Sequence, residues 1–228
     1  MTTNILGVGG FARSGKDTFV GIAKKILAKN GYSSQKVSFA DSLKRDLEAW
    51  LLEKYGISVW TSNDEEKALI RPFLVAHGCG KRIQTQGKYW VDKVDEQIRF
   101  TNSHEYRDST NHVYFVSDVR FRNEANWLHE KWAGELIHLK RWSTKEVRDG
   151  YGDNVFAKVF DAAPNEEEKL QDPLVVEVAD QNVEWESKRK LTTEEAMEDP
   201  YLQGVVLDAL NRTKYFRLDK AITGILSL

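Results

Sequence analysis

Gly10-Phe11-Ala12-Arg13-Ser14-Gly15-Lys16-Asp17-Thr18 decides the reading of this chain. It has the spacing G-x-x-x-x-G-K, in the setting that such a loop requires. Before it, Ile5 to Gly9 is a short apolar run that reads as a buried strand. After it, Phe19, Val20, Ile22, Ala23, Ile26 and Leu27 share one helical face, which ends at Asn30-Gly31. Between strand and helix the glycines let the backbone turn tightly, so that several N–H groups face one concavity at a helix N-terminus. Phosphate oxygens suit that concavity, and Lys16 is placed to bridge the β- and γ-oxygens of a nucleotide. The candidate nucleotide-binding residues are therefore Gly10, Ala12, Arg13, Ser14, Gly15, Lys16, Asp17 and Thr18. The plainer alternative is a glycine turn capped by Ser14. One position departs from the pattern, because Asp17 stands where Ser or Thr is usual. Its carboxylate can bind Mg²⁺ or hold one of its waters, or simply favour the positive end of the helix dipole. Thr18 remains to donate to an α-phosphate.

Working outward, Gln35 to Ala40 predicts a second strand, and Asp41 or Ser42 a cap for a helix whose Leu43, Leu47, Trp50 and Leu51 share a face up to Gly56. Asn63 to His77 predicts a helix bent or broken at Pro72 and ended by Gly78-Cys79-Gly80. Trp90, Val91, Val94 and Ile98 predict a fourth helix. His112 to Ser117 is a strongly β-type run ending in Asp118, followed by a helix from Asn123 to Trp132, a stop at Gly134 and a strand from Glu135 to Lys140. Ser143 to Leu170 is charged and aperiodic, and reads as a mobile excursion. Leu174 to Val178 predicts a further strand and Asp199 to Asn211 a late helix. Gln181 to Thr193 fits a hairpin or a surface extension equally. Strands that alternate with helices give an α/β class with a central, mainly parallel sheet flanked by helices.

Composition narrows the function. The 228 residues carry 41% apolar side chains, enough for a core without disulfides or a structural metal, and fit one domain with insertions. A net charge of −2 disfavours nucleic acid as the main partner. With Cys79 as the single cysteine, no internal disulfide forms, which suits a reducing compartment. There is no apolar run long enough for a membrane span, and MTTNILGVGG lacks a basic leader, so the expectation is a soluble, cytoplasmic protein without a membrane partner. His77, His104, His112, His129 and His138 show no metal-ligand spacing and read as structural or surface groups.

A second constellation is Val116-Ser117-Asp118-Val119-Arg120-Phe121-Arg122-Asn123-Glu124. A strand that ends in an acid places that acid where open α/β sheets bind ligands. Asp118, with Asp17, is a candidate for organising Mg²⁺, and Arg120 for neutralising a transferring phosphoryl group; a strand-end salt bridge is the plainer alternative. GFARSGKDT and DVRFRNE together resemble the deoxynucleoside monophosphate kinases of tailed bacteriophages, within the adenylate-kinase-like P-loop group. Phe39-Ala40-Asp41-Ser42-Leu43-Lys44, Arg71-Pro72-Phe73-Leu74 and Tyr89-Trp90 resemble intervening parts of that family's pattern. The resemblance covers residues 5 to 142. The family's Ser-Glu pair near the lid finds only Asn165-Glu166 here, so no role is carried over to it.

The resemblance implies a P-loop NTPase fold with NMP-binding and lid insertions in a single domain over residues 1–228. The acceptor-binding helical insertion falls at about 41–110, the lid at 143–170, and a C-terminal extension of unassigned role at 181–228. It implies ATP and Mg²⁺ as cofactors and a deoxynucleoside monophosphate as substrate, in a host cell's cytoplasm if the protein is viral. It is compatible with a homodimer. Lys16, Arg13, Arg120 and Arg141 become the candidate catalytic cations, with Arg148 a further lid candidate. Lys44, Lys67, Arg71, Arg82 and Arg122 become candidate acceptor ligands, because a dianionic monophosphate needs such partners. A solvated helix face is the competing reading of Lys67 and Arg71, which stand four apart. Trp50, Trp60, Trp90 and Trp142 could stack on a base, Trp60 and Trp142 foremost, since most buried tryptophans are simply core. Two other functions fit the same loop: a kinase of another small molecule, such as dephospho-coenzyme A, and a nucleotide-dependent switch without an acceptor.

Overall fold

The computed structural model describes residues 3–104, 111–148, 150–151, 154–160, 166–187 and 191–218. The elements in chain order are β1 (Asn4–Gly9), α1 (Lys16–Lys29), β2 (Ser33–Val37), α2 (Phe39–Tyr55), α3 (Asp64–Thr85), α4 (Lys88–His104), β3 (His112–Val119), α5 (Arg122–Trp132), β4 (Glu135–Arg148), β5 (Asn154–Phe160), α6 (Glu166–Val178), β6 (Gln181–Glu186), α7 (Thr193–Glu198) and α8 (Pro200–Arg212). They form two compact units, residues 1–36 with 109–228, and residues 37–108.

The first unit is built on the sheet. Its strand order is β2-β3-β1-β4-β5, with β6 also pairing with β4. β1 runs parallel to β3 and to β4, and β4 parallel to β6, while β4 and β5 are antiparallel. The connection after β1 runs to β2 on one side of the sheet's order and the connection after β3 runs to β4 on the other, so the carboxyl end of β1, beside that of β3, lies at the switch point where α/β sheets open a crevice. That end is Gly9, and the phosphate loop follows it. Ile5, Leu6 and Val8 are fully buried, and so are Val113 to Val116 of β3. Runs that are apolar on both faces belong to central parallel strands covered by helices. Leu6, Phe19, Ile22, Leu27, Val206, Leu210 and Phe216 lie in one core cluster that joins the sheet to α1 and α8. This is the α/β P-loop fold.

The second unit packs α2, α3 and α4 against one another, with Leu51, Val59 and Ile70 as its small buried centre.

Several predicted boundaries are corrected. Ser38, not Asp41 or Ser42, caps α2, and its side chain accepts from the Asp41 N–H at 3.3 Å. α3 does not stop at Gly78-Cys79-Gly80 but runs on to Thr85 and ends at Gln86 and Gly87, both with positive φ. Glycine costs a helix only about 1 kcal/mol relative to alanine, and packing outweighs it. Gly78 lies so close to Leu43 that an added Cβ would stand 3.3 Å from its Cδ2, and the Trp90 indole N–H donates to the Gly78 carbonyl at 3.2 Å. Leu174 to Val178 is helical, not a strand. Its apolar run closes α6, whose buried Glu168, Asp172 and Val175 follow helical spacing. The unassigned segment contains β6, parallel to β4 from Ile137↔Gln181 to Trp142↔Glu186.

The excursion also has a regular form. β4 continues past Lys140 to Arg148 and pairs antiparallel with β5, from Trp142↔Phe160 to Arg148↔Asn154. A two-stranded arm needs little apolar periodicity when both faces meet water, which is why the sequence there reads as irregular. Gly152 and Asn165 lie outside the described residues. No helix among the described residues is long and apolar enough to cross a membrane.

Candidate active site

The loop after β1 is held open by three positive φ angles: 129° at Gly10, 64° at Arg13 and 89° at Gly15. Gly10 also has no room for a side chain, since a Cβ would stand 2.4 Å from the Leu139 carbonyl oxygen. Arg13 adopts the left-handed region without the freedom of glycine, a local strain of the kind that functional loops retain. Gly15 stands where α1 begins, and Ser14 gives α1 no side-chain cap. The Ser14 hydroxyl is instead buried with no hydrogen-bond partner. The plain capped-turn alternative therefore does not describe this loop.

Lys16 is buried rather than solvent-facing. It is 9% exposed, and its ammonium donates to the Gly10 and Phe11 carbonyls at 2.8 and 2.6 Å. Its pKa is lowered from 10.5 to about 8, first by burial and then by the nearby Arg120 guanidinium, while Asp118, Glu168 and Asp17 pull the other way. The P-loop, Arg120, Asp118 and Asp17 thus meet in one electrostatic neighbourhood. An ammonium that is desolvated and crowded by an arginine gains more from an arriving polyanion than a solvated one does.

The DVRFRNE segment builds the second wall. Asp118 lies near the end of β3, half-buried. Glu124 is 1% exposed, and its carboxylate accepts from the Arg120 and Phe121 N–H groups at 2.9 and 3.2 Å. It fixes the turn that presents Arg120, a role the motif alone did not reveal. Arg122 points elsewhere, into an exposed pair with Glu177 at 2.9 Å. Arg141 is not at a strand end but inside β4, opposite Trp185 of β6, at the end of the sheet's parallel portion. Arg148 is exposed on the hairpin arm, and Arg13 is exposed on the loop.

Three contributors were not singled out from sequence. Trp185 is 2% exposed; its indole N–H donates to the Ser14 carbonyl at 3.2 Å, and its ring fills the space where a Cβ on Gly15 would stand, 2.3 Å away. It is the floor of the phosphate loop, and it lay in the segment that pattern could not order. Glu168 of α6 accepts from the Ala12 N–H at 3.0 Å and stands 3.5 Å from Arg120. His138 of β4, fully buried, pairs with Asp172 one helical turn along α6 at 2.7 Å. The helical spacing of Glu168, Asp172 and Val175 was the available signal, hidden by reading the β-branched run as a strand.

For a metal, the fit is limited but coherent. Among the described residues no group of three or more His, Cys, Asp or Glu is gathered for an ion. Asp118 and Asp17 could supply one or two oxygens, leaving the rest to water and phosphate, as Mg²⁺ prefers. Asp17 is largely exposed and paired with Lys36 at 2.6 Å, an exchangeable surface contact.

Of the acceptor candidates, Lys44, Lys67, Arg71 and Arg82 lie in the second unit and Arg122 in the first. Lys44 sits 4.9 Å over the Trp60 ring, so two candidates come together on an exposed face. Lys67 is engaged locally, donating to the Ser62 carbonyl and to Asp64, both at 2.8 Å. Arg71 shares α3 with Lys67 and is exposed, and Arg82 is half-buried near its end. Trp90 is buried in the core, which removes it as a stacking candidate; Trp50 is 40% exposed and packs with Tyr55 and Phe73. Lys158 stands 4.7 Å over Trp142 on the hairpin arm.

No family model and no curated protein matches the chain. Among solved structures, it is similar to the dephospho-CoA kinase from Campylobacter jejuni, at 13% identity over 92% of this chain and 96% of that one, with a TM-score of 0.43. So loose a likeness leaves the fold to rest on the strand order and loop described above.

Proposed function

We propose that this chain is a phosphotransferase that moves the γ-phosphate of ATP, with Mg²⁺, onto a small phosphorylated acceptor, and that the acceptor is a deoxynucleoside monophosphate. The observation that carries the transfer reading is the seat around Lys16: a buried ammonium, the strained loop's N–H groups and Arg120, gathered at the sheet's switch point. That arrangement stabilises negative charge on phosphoryl oxygens, which is most of what phosphoryl transfer asks of a protein.

In this reading the loop N–H groups and Lys16 hold the β- and γ-phosphates. Arg120, oriented by Glu124, faces the charge that develops as the acceptor's phosphate oxygen attacks the γ-phosphorus and the bond to the β-phosphate oxygen breaks. The attacking group is already an oxyanion, so no strong general base is needed. Bound Mg²⁺ would supply further charge neutralisation, with Asp118 as its first protein partner and Asp17 as an outer one. Arg13, Arg141 and Arg148 are proposed to add charge from the rim of the site. Lys44, Arg71 and Arg82 are proposed for the acceptor, with Lys67 and Arg122 the weakest members because both are engaged in local pairs.

The deoxynucleoside monophosphate rests on the motif resemblance alone. Dephospho-coenzyme A, also a phosphorylated small molecule, is the named competitor and the substrate class of the similar solved structure. A coupled ADP-release assay with Mg-ATP across all ribo- and deoxynucleoside monophosphates and dephospho-coenzyme A tests both. Release that depends on a deoxynucleoside monophosphate supports the proposal. Dependence on dephospho-coenzyme A alone replaces the acceptor, and slow release indifferent to every acceptor makes the protein a switch.

A further inference from the structure

Glu168 occupies a position that a phosphate oxygen would want. Its carboxylate is buried, accepts the Ala12 N–H of the phosphate loop at 3.0 Å, stands 3.5 Å from the Arg120 guanidinium and lies in the field of Lys16. Those are an N–H of the anion-binding loop and the two cations assigned above to the nucleotide's phosphates. A carboxylate and a phosphate oxygen compete for such donors, because both are anionic acceptors of the same kind. The contact is built rather than incidental. Glu168, Asp172 and Val175 form the inward face of α6, and Asp172 is held by the fully buried His138 at 2.7 Å. His138 belongs to β4, the strand beside β1, and pairs there with Gly9, the last residue before the loop. The helix that carries the carboxylate is thus fastened to the strand layer that carries the loop.

We propose that Glu168 is an internal phosphate surrogate, a latch that fills the anion seat until the polyphosphate of a nucleotide displaces it. The inference rests on the nucleotide reading of the loop. In the free protein Glu168 satisfies a loop N–H and adds to Asp118 and Asp17 in offsetting the positive charge of Lys16 and Arg120. Entry of a nucleotide requires Glu168 to turn away or α6 to shift, so part of the phosphate affinity is spent on opening. The apparent affinity is reduced by the fraction of molecules in which the seat is free.

The test is nucleotide binding to the folded, full-length protein by isothermal titration calorimetry, using ADP and, separately, pyrophosphate as the anion without a nucleoside. If the latch is closed in about nine molecules of ten, Glu168→Ala tightens both ligands by about ten-fold. Glu168→Gln keeps the shape and an acceptor but removes the charge; it should tighten binding less, and it serves if the alanine variant does not fold. Glu167→Ala removes an exposed charge one residue away and should leave binding unchanged, since solvent screens it. Asp172→Asn, which loosens the fastening of α6, should tighten binding in wild type but add little on top of Glu168→Ala, because the two act through one contact. A purely structural Glu168 would lower stability without tightening either ligand. Equal or weaker binding by the folded Glu168 variants, while wild type binds, would overturn the latch alone. Failure of wild type and variants to bind ADP or pyrophosphate would overturn the nucleotide reading and the latch with it.

Discussion

Replacing Lys16 by methionine should make the free protein more stable and at the same time remove its chemistry. Methionine keeps the unbranched stem and gives up the charge. The pKa of Lys16 lies at about 8 instead of 10.5, with burial as the largest cause and Arg120 the second. At 1.36 kcal/mol per pKa unit, the charged form is disfavoured in the fold by roughly 3 kcal/mol at neutral pH. The substitution also loses the hydrogen bonds to the Gly10 and Phe11 carbonyls, together worth about 1–2 kcal/mol. A net gain of about 1–2 kcal/mol remains, or a rise in Tm of roughly 2–8 °C for a chain of this size. The sign has a pH signature. Because the folded pKa is depressed, the unfolded chain binds more protons between pH 8 and 10.5, so wild-type stability rises relative to Lys16→Met across that window. Phosphoryl transfer should fall by about 10²–10³ in kcat. Calorimetric melts at pH 7 and 10 and a coupled transfer assay measure all three. A methionine variant that is less stable than wild type at pH 7, with no change in the gap at pH 10, would refute the burial argument; near-wild-type turnover would refute the role of the loop.

Other expectations follow from the same geometry. Nucleotide phosphates should raise the Lys16 pKa back from about 8, so ADP binding near pH 8.5 should take up a proton and weaken as pH rises; equal calorimetric heats in buffers of different ionisation enthalpy would count against it. Gly15→Ala should weaken nucleotide binding by at least about ten-fold, because a Cβ would stand 2.3 Å from the Trp185 ring in a left-handed backbone; unchanged ADP affinity would show that the loop is not shaped by that floor. His112 is held neutral, its pKa brought down to about 4 by burial. Stability should therefore be lost as pH falls from about 6.5 toward 4, more steeply than in a folded His112→Gln variant, and parallel urea midpoints for the two would contradict this.

The part of the molecule nearest the loop was legible because its signals are local. A strand, a glycine loop and an amphipathic helix in sequence leave few alternatives, and β1, α1 and β3 lie where the pattern puts them. The site's other half is non-local. Glu168 and Asp172 sit in a charged stretch whose helical spacing shows only when Val175 is read as the third member of one face. The β-branched run beside Pro173 pointed to a strand, and packing of α6 against α5 overrode it. Trp185 was one of seven tryptophans in a chain where any could be core, and its function depends on a partner 171 positions away. The hairpin was misread for the opposite reason, since a strand that leaves the sheet loses the apolar alternation that marks it. Arg122 illustrates a limit of motif reasoning: the segment that presents Arg120 to Glu168 beside the loop directs Arg122 away to Glu177.

The central claim is transfer rather than hydrolysis, and isotope labelling tests it most directly. ATP labelled with ¹⁸O in the γ-phosphate is incubated with the protein, Mg²⁺ and a mixture of deoxynucleoside monophosphates and dephospho-coenzyme A, and the products are weighed by mass spectrometry. The account predicts label in a phosphorylated acceptor, a deoxynucleoside diphosphate first among them, with little in free phosphate. Label found only in inorganic phosphate, at a rate no acceptor changes, would contradict it.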